Sequence, residues 1–312
     1  LYPRYNVSDG RDMLVAAHDY LKKKKLFSPL GGKATLPLFV SGYSEGASYA
    51  LWFSRIYQSE PDFAKTITQI GLKLRKTVPI DGAYNLSGVM FPFLLTSQVN
   101  DNNNLFQIQS SFWGSLLKPS LLTNVSLAFA YYNQRSINSL LNPDFFHGAC
   151  TIIPDKWCHA ERTSSANIND LLFTPSKTMT LVLKLFWAAI LKNSNGLIYS
   201  PLFNSVAPLM RDGAAKDPEL LAQAGNADIL SWQSNNPITL ISLAHDSLVP
   251  EQNSTDAYNG MIHAKSTNLK YIKFANSKLH ARALFGAEVV DHVSFELYAL
   301  LIALNEFEDS QP

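Results

Sequence analysis

Five residues constrain this chain more than any others: Gly42-Tyr43-Ser44-Glu45-Gly46, directly after the apolar run Leu36-Pro37-Leu38-Phe39-Val40-Ser41. A short apolar run ending in a glycine-flanked turn reads as a buried strand. The following Ala47-Ser48-Tyr49-Ala50-Leu51-Trp52-Phe53 reads as the helix that the turn launches. The two glycines let the chain bend sharply and let that helix pack close to the strand. Such a bend leaves the Ser44 hydroxyl exposed at the strand's carboxyl end, where a nucleophile would sit. The plainer alternative is a strand-to-helix turn with Ser44 as a capping residue.

A chain of 312 residues, 46% apolar and 16% charged, suits one large α/β domain or a core domain with a sizeable insertion. Its net charge of +1 leaves no electrostatic footprint for nucleic acid. The one local charge block, Lys22-Lys23-Lys24-Lys25, reads as the solvated end of a helix, favourably placed near a negative carboxyl terminus. No run of about eighteen uninterrupted apolar residues argues for a membrane span, and the best stretch, 179–191, is broken by Lys184. The chain opens on Leu1 without a signal-like segment, so targeting information would lie upstream. Cys150 and Cys158 could form a local disulfide, which would fit an exported protein, or remain as two thiols. Their spacing with His147 and His159 matches no zinc template, and no metal or cofactor is expected.

Apolar spacing predicts a helix over 8–25 with Ser8 or Asp9 as its cap, and a helix after the serine turn to about Gln58. An amphipathic helix or its tail follows over 67–76, and then a short strand over 77–84. From about 88 to 235 the β-α alternation disappears, and the stretch reads as a mainly helical insertion with pieces near 111–141 and 176–193. Pro237-Ile238-Thr239-Leu240-Ile241-Ser242-Leu243 is a buried strand, Leu269-Lys270-Tyr271-Ile272-Lys273-Phe274 the next one, and a last helix covers about 294–307.

A serine hydroxyl becomes a nucleophile only when a base takes its proton, and that base is oriented by an acid. Asp246, just past the 237–243 strand, is the candidate acid, with Asp81 past the shorter strand in reserve. Two histidines follow the final strand, His292 opening the last helix and His280 in a loop, and His292 is the preferred base. His18, His147, His159, His245 and His263 read as ordinary polar residues.

These blocks resemble the α/β-hydrolase superfamily, and within it the secretory lipase (fungal lipase A-like) family and its bacterial esterase relatives. The resemblance is carried by Gly42-Tyr43-Ser44-Glu45-Gly46, Gly82-Ala83-Tyr84-Asn85-Leu86-Ser87, the run from His245 to Pro250, Asn253-Ser254, Ala257-Tyr258 and Asp291-His292. It implies an α/β-hydrolase fold, a mostly parallel sheet with a large helical cap. The core would comprise residues 1–87 and 236–312, with the cap or lid at 88–235. It further implies Ser44 as nucleophile, Asp246 as acid, His292 as base and the Glu45 backbone N–H as an oxyanion donor, with no cofactor. The family's early strands are missing, and with them a loop supplying a second oxyanion donor, so an upstream segment is expected to complete the sheet. Losing one such donor costs roughly a hundred- to a thousandfold in turnover. The expected activity is carboxylic-ester hydrolysis on a small-molecule or lipid ester, with Phe91, Phe93, Leu94, Leu95, Phe112, Trp113, Leu183, Phe186 and Trp187 as apolar surface for an acyl chain. Peptide hydrolysis or acyl transfer by the same residues, and a non-catalytic binding module, stay open as alternatives.

Overall fold

In a computed structural model the described residues are 3–25, 35–95, 125–126, 128–136, 139–140, 217–246, 248–274 and 292–309. In chain order the elements are α1 (Pro3–Lys23), β1 (Leu36–Tyr43), α2 (Glu45–Ser59), α3 (Pro61–Gln69), β2 (Leu72–Ile80) and α4 (Phe91–Leu95). They continue with α5 (Pro218–Gly225), β3 (Ile238–Leu243), α6 (Gln252–His263), β4 (Leu269–Phe274) and α7 (His292–Glu308). The chain divides into two compact units, one of Ser87–Asn226 with His245–Pro250 and one of Tyr2–Leu86, Ala227–Ala244 and Glu251–Pro312.

The second unit is built on a sheet of order β1-β2-β3-β4 in which every neighbouring pair is parallel. Parallel neighbours need crossover connections, which α2 and α3 provide between β1 and β2, and α6 between β3 and β4. Helices cover both faces of the sheet, burying β3 and the end of β2 while β1 and β4 stay half-buried. On one face, Val7, Leu51, Trp52, Ile56, Phe63 and Ile67 pack with Leu74, Ile238 and Leu240; on the other, Phe295, Ala299 and Ala303 of α7 pack with Val78, Ile80, Ile241 and Leu243. A strand covered on both sides has no polar face to alternate, so all six residues of β3 are buried and its sequence is nearly continuously apolar.

A bulge in β2 decides which side chains reach α7. Leu38 pairs with Leu74, but Phe39 pairs with Lys76, so Arg75 is one residue too many. Side chains alternate with period two, and the extra residue reverses the alternation beyond it. Leu72 and Leu74 therefore pack with the helices of the first face, while Lys76 turns under α7 beside Val78 and Ile80. There its Nζ lies 2.8 Å from Glu306 Oε2 of α7, and Thr239 Oγ1 donates to the same oxygen at 3.0 Å.

Sequence and structure differ at several boundaries. The helix expected over 67–76 ends at Gln69, and Gly71 at φ +78° turns the chain into β2 at Leu72. A glycine takes that left-handed conformation without steric cost. The strand expected over 77–84 stops at Ile80, because Asp81 at φ +53° leaves the extended region. Helix α1 starts at Pro3 rather than near Ser8, with Lys22 and Lys23 in its last turn. Helix α6 was not expected, while α5 falls inside the 88–235 stretch expected to be mainly helical, though outside its two named pieces.

In the other unit, Val89, Met90, Phe91, Phe93, Val125, Phe129, Leu220 and Ala224 are buried, with the Phe91 and Phe129 rings 5.6 Å apart. Asp217 caps α5 by accepting from the N–H groups of Glu219 and Leu220, and Arg135 Nη2 lies 2.6 Å from Glu219. Cys150, Cys158, His147, His159, Phe112, Trp113, Leu183, Phe186, Trp187 and the side chains of Leu94 and Leu95 lie outside the described residues, as does most of the expected helical insertion. No described helix is long and apolar enough to cross a membrane.

Candidate active site

Ser44 is the residue between β1 and α2, at φ 56° and ψ −118°. That backbone conformation is sparsely populated for anything but glycine and costs on the order of 1–3 kcal/mol. The Ser44 N–H is anchored on the Ile80 carbonyl at 2.9 Å, which ties the turn to the carboxyl end of β2. The side chain makes no capping hydrogen bond to α2, so the plain capping role weighed for it is not what this serine does. Glu45 opens α2, where backbone N–H groups have no acceptor within the helix.

The two glycines of the pentapeptide are not equivalent. A Cβ on Gly42 would lie 2.1 Å from the Gly46 carbonyl oxygen and 2.9 Å from the Ala47 nitrogen, whereas one on Gly46 would meet nothing within 4 Å. Gly42 is thus required because the start of α2 lies against the end of β1. Gly46 answers no steric need of its own, which corrects the symmetrical reading of the pair. Gly42→Ala should destabilise the fold by about 3 kcal/mol, since backbone must move. Gly46→Ala, inside a helix, should be neutral or stabilising by up to about 1 kcal/mol. Urea unfolding of the two variants checks both signs.

His292 is the first residue of α7 and is buried. Tyr43, the neighbour of Ser44, holds it in two ways: the Tyr43 hydroxyl donates to the His292 carbonyl at 2.5 Å, and the two rings lie 4.9 Å apart. Phe295, one turn on, packs against Tyr43 and Phe274. The imidazole Nδ1 is 3.6 Å from Asp81 Oδ2. Asp81 in turn donates its N–H to the Ile241 carbonyl and accepts the Leu243 N–H on Oδ1 at 3.2 Å. Asp246 belongs to the other unit, where it is buried and its Oδ1 accepts the N–H groups of Leu248 and Val249, each at 2.7 Å. His280 and Asp291 lie outside the described residues.

Two separate sequence blocks meet beside this turn. The Asn85 N–H donates to Asn253 Oδ1 at 3.1 Å, and its amide Nδ2 to Asp256 of α6 at 2.7 Å, while the Leu86 N–H donates to Asp228. Gly82 is compressed as well, since a Cβ there would lie 2.5 Å from the Tyr84 ring and 2.7 Å from Ala47 Cβ. Burial first, and then the Asp81 charge, raises the Tyr84 phenol well above its ordinary pKa. Among the described residues its buried hydroxyl makes no well-formed hydrogen bond. An unsatisfied buried hydroxyl costs roughly 1–3 kcal/mol. Tyr84→Phe should therefore raise stability by about 1 kcal/mol in denaturant unfolding, and a loss of that size would refute this account of the site.

No protein-family model matches the sequence, and no curated protein does. Among solved structures the chain is similar to the rice cell wall degrading esterase LipA from Xanthomonas oryzae, at TM-score 0.58 and 16% identity over 95% of this chain and 63% of that one. A presumed hydrolase from Legionella pneumophila gives TM-score 0.57 and 13% identity over 96% of this chain and 61% of that one. The match runs over nearly the whole chain, on a parallel sheet wrapped by helices. This chain has the α/β-hydrolase fold. The expected fold class is borne out, while the chain spans under two thirds of the length of either structure. In open α/β sheets, ligands bind beyond the carboxyl ends of the strands. Ser44 and Asp81 directly follow β1 and β2 at that edge of the hydrolase fold, and Asp246 is three residues past β3.

Tyr43 and Asp81 are the residues whose contacts the sequence reading missed. Asp81 carried a signal, a carboxylate directly after a strand, and stood there in reserve. Tyr43 carried none beyond its place in the pentapeptide.

Proposed function

We propose that this protein is a serine hydrolase that cleaves carboxylic esters through an acyl-enzyme on Ser44. The observation that carries the reading is the Ser44 turn: a strained, uncapped serine after β1, with His292 packed on the adjacent Tyr43. In this reading Ser44 Oγ attacks the ester carbonyl carbon while its proton passes to the His292 imidazole. The developing oxyanion is met by the Glu45 backbone N–H at the start of α2. Collapse expels the alcohol, which takes the proton from the imidazolium, and water then repeats the sequence to release the acid and free Ser44. Asp246 is the carboxylate assigned to stabilise the imidazolium.

The likeness to an esterase fold supports this reading without deciding the reaction, because one fold hosts many chemistries. A fluorophosphonate probe on the intact protein tests it. Stoichiometric labelling at Ser44, accompanied by turnover of short or long p-nitrophenyl esters, is the expected result. Labelling with peptide cleavage and no ester turnover would replace the substrate class. Absence of labelling would leave a non-catalytic binding protein.

A further inference from the structure

Asp81 has the attributes of a residue held for a purpose. It is 1% exposed, its backbone is at φ +53°, and its main-chain N–H and one carboxylate oxygen are both spent on β3. A short polar residue is among the few that accept a left-handed conformation. Here that conformation turns the side chain back so that Oδ1 reaches the Leu243 N–H. The other oxygen, Oδ2, is 3.6 Å from Nδ1 of His292, itself 6% exposed. A buried carboxylate is costly unless an opposite charge or donor meets it.

We infer that Asp81 is a positioning residue for the His292 imidazole, holding its Nδ1 edge from β2 in addition to the acid assigned to Asp246. This rests on the serine-hydrolase reading above. The base must present its second ring nitrogen to Ser44 in one tautomer, and an acceptor facing Nδ1 keeps the proton there. At 3.6 Å the contact is longer than a hydrogen bond, and it shortens when the ring becomes imidazolium and the attraction is between full charges. Asp81 then stabilises the charged ring of the transition state more than the neutral ring of the resting enzyme, which is the requirement for raising kcat. Both partners are fixed from opposite directions: Asp81 by β3, and His292 by the Tyr43 hydroxyl on its carbonyl.

Kinetics and NMR of the full chain test the inference. Asp81→Asn should lower kcat about a hundredfold with KM nearly unchanged, because the amide can donate to Nδ1 and select the wrong tautomer. The low-field ring N–H resonance of His292, assigned by its loss in His292→Gln, should move in Asp81→Asn and persist in Asp246→Asn. The Asp246→Asn spectrum keeps the test valid should Asp81→Asn fail to fold. Loss of that resonance in Asp246→Asn, or a folded Asp81→Asn protein with unchanged kcat and spectrum, would overturn the inference. Fluorophosphonate labelling of the wild type separates the two levels. If Ser44 is not labelled, the hydrolase reading fails and the kinetic role of Asp81 falls with it. If Ser44 is labelled while the resonance ignores Asp81, this inference alone fails.

Discussion

Ser44→Ala is expected to lower ester turnover by roughly a millionfold, the loss typical when a serine nucleophile is removed, with unfolding behaviour close to that of the wild type. The side chain makes no cap bond that alanine would forfeit, and alanine meets the same backbone strain at φ 56°. A second variant separates strain from chemistry. Ser44→Gly should be as inactive, yet more stable by about 1 kcal/mol, because glycine adopts this conformation without penalty. A protein that gains stability by losing its serine would show the turn to be strained for the sake of the hydroxyl. Retained turnover in either variant would end the assignment of Ser44.

The largest stability effect is expected at the far end of α7. Burial pushes the Glu306 carboxyl up, but hydrogen bonds from Lys270, Lys76 and Thr239 outweigh it and hold its pKa at about 2, against an ordinary 4.5. The Lys76 and Glu306 side chains are 10% and 8% exposed, so this is a buried ion pair, whereas Lys270 is 58% exposed and solvent screens its share. Glu306→Ala leaves the Lys76 ammonium buried without its anion and should cost about 3–5 kcal/mol in denaturant unfolding. Replacing both partners, as Lys76→Met with Glu306→Leu, should recover most of that loss. The pH dependence has a definite sign. A carboxyl held below its unfolded value stabilises fully above about pH 4.5, and the contribution drains away as pH falls toward 2. Glu306→Gln should flatten the stability profile in that window. An unchanged profile would mean that the clamp between α7 and strands β2, β3 and β4 contributes nothing. Because His292 opens the helix that Glu306 closes, a loosened clamp should also lower activity.

The Ser44 turn was legible because everything that makes it is local. An apolar strand, half-buried in the fold, a glycine at the close approach and a helix stand within about twenty consecutive residues, and their apolar pattern announces them. Strand β3 was legible for the related reason that a doubly covered parallel strand is apolar throughout. The beginning of β2 was not. Leu72-Lys73-Leu74-Arg75-Lys76 carries its charges at spacings that suit the tail of an amphipathic helix, and the bulge at Arg75 breaks the period-two pattern that would have revealed a strand.

The sequence by itself determined the sheet's nucleus, the order in which serine, carboxylates and histidine follow their elements, and hence the class of fold. These follow from propensity and periodicity, which act over a few residues. Only the tertiary structure decided that Gly42 rather than Gly46 is sterically required, that Lys76 turns toward Glu306, and that Tyr43 and Asp81 reach His292. Those outcomes depend on where separate strands and helices come to rest against one another. The packing of side chains far apart in the chain sets that arrangement, and no local pattern encodes it.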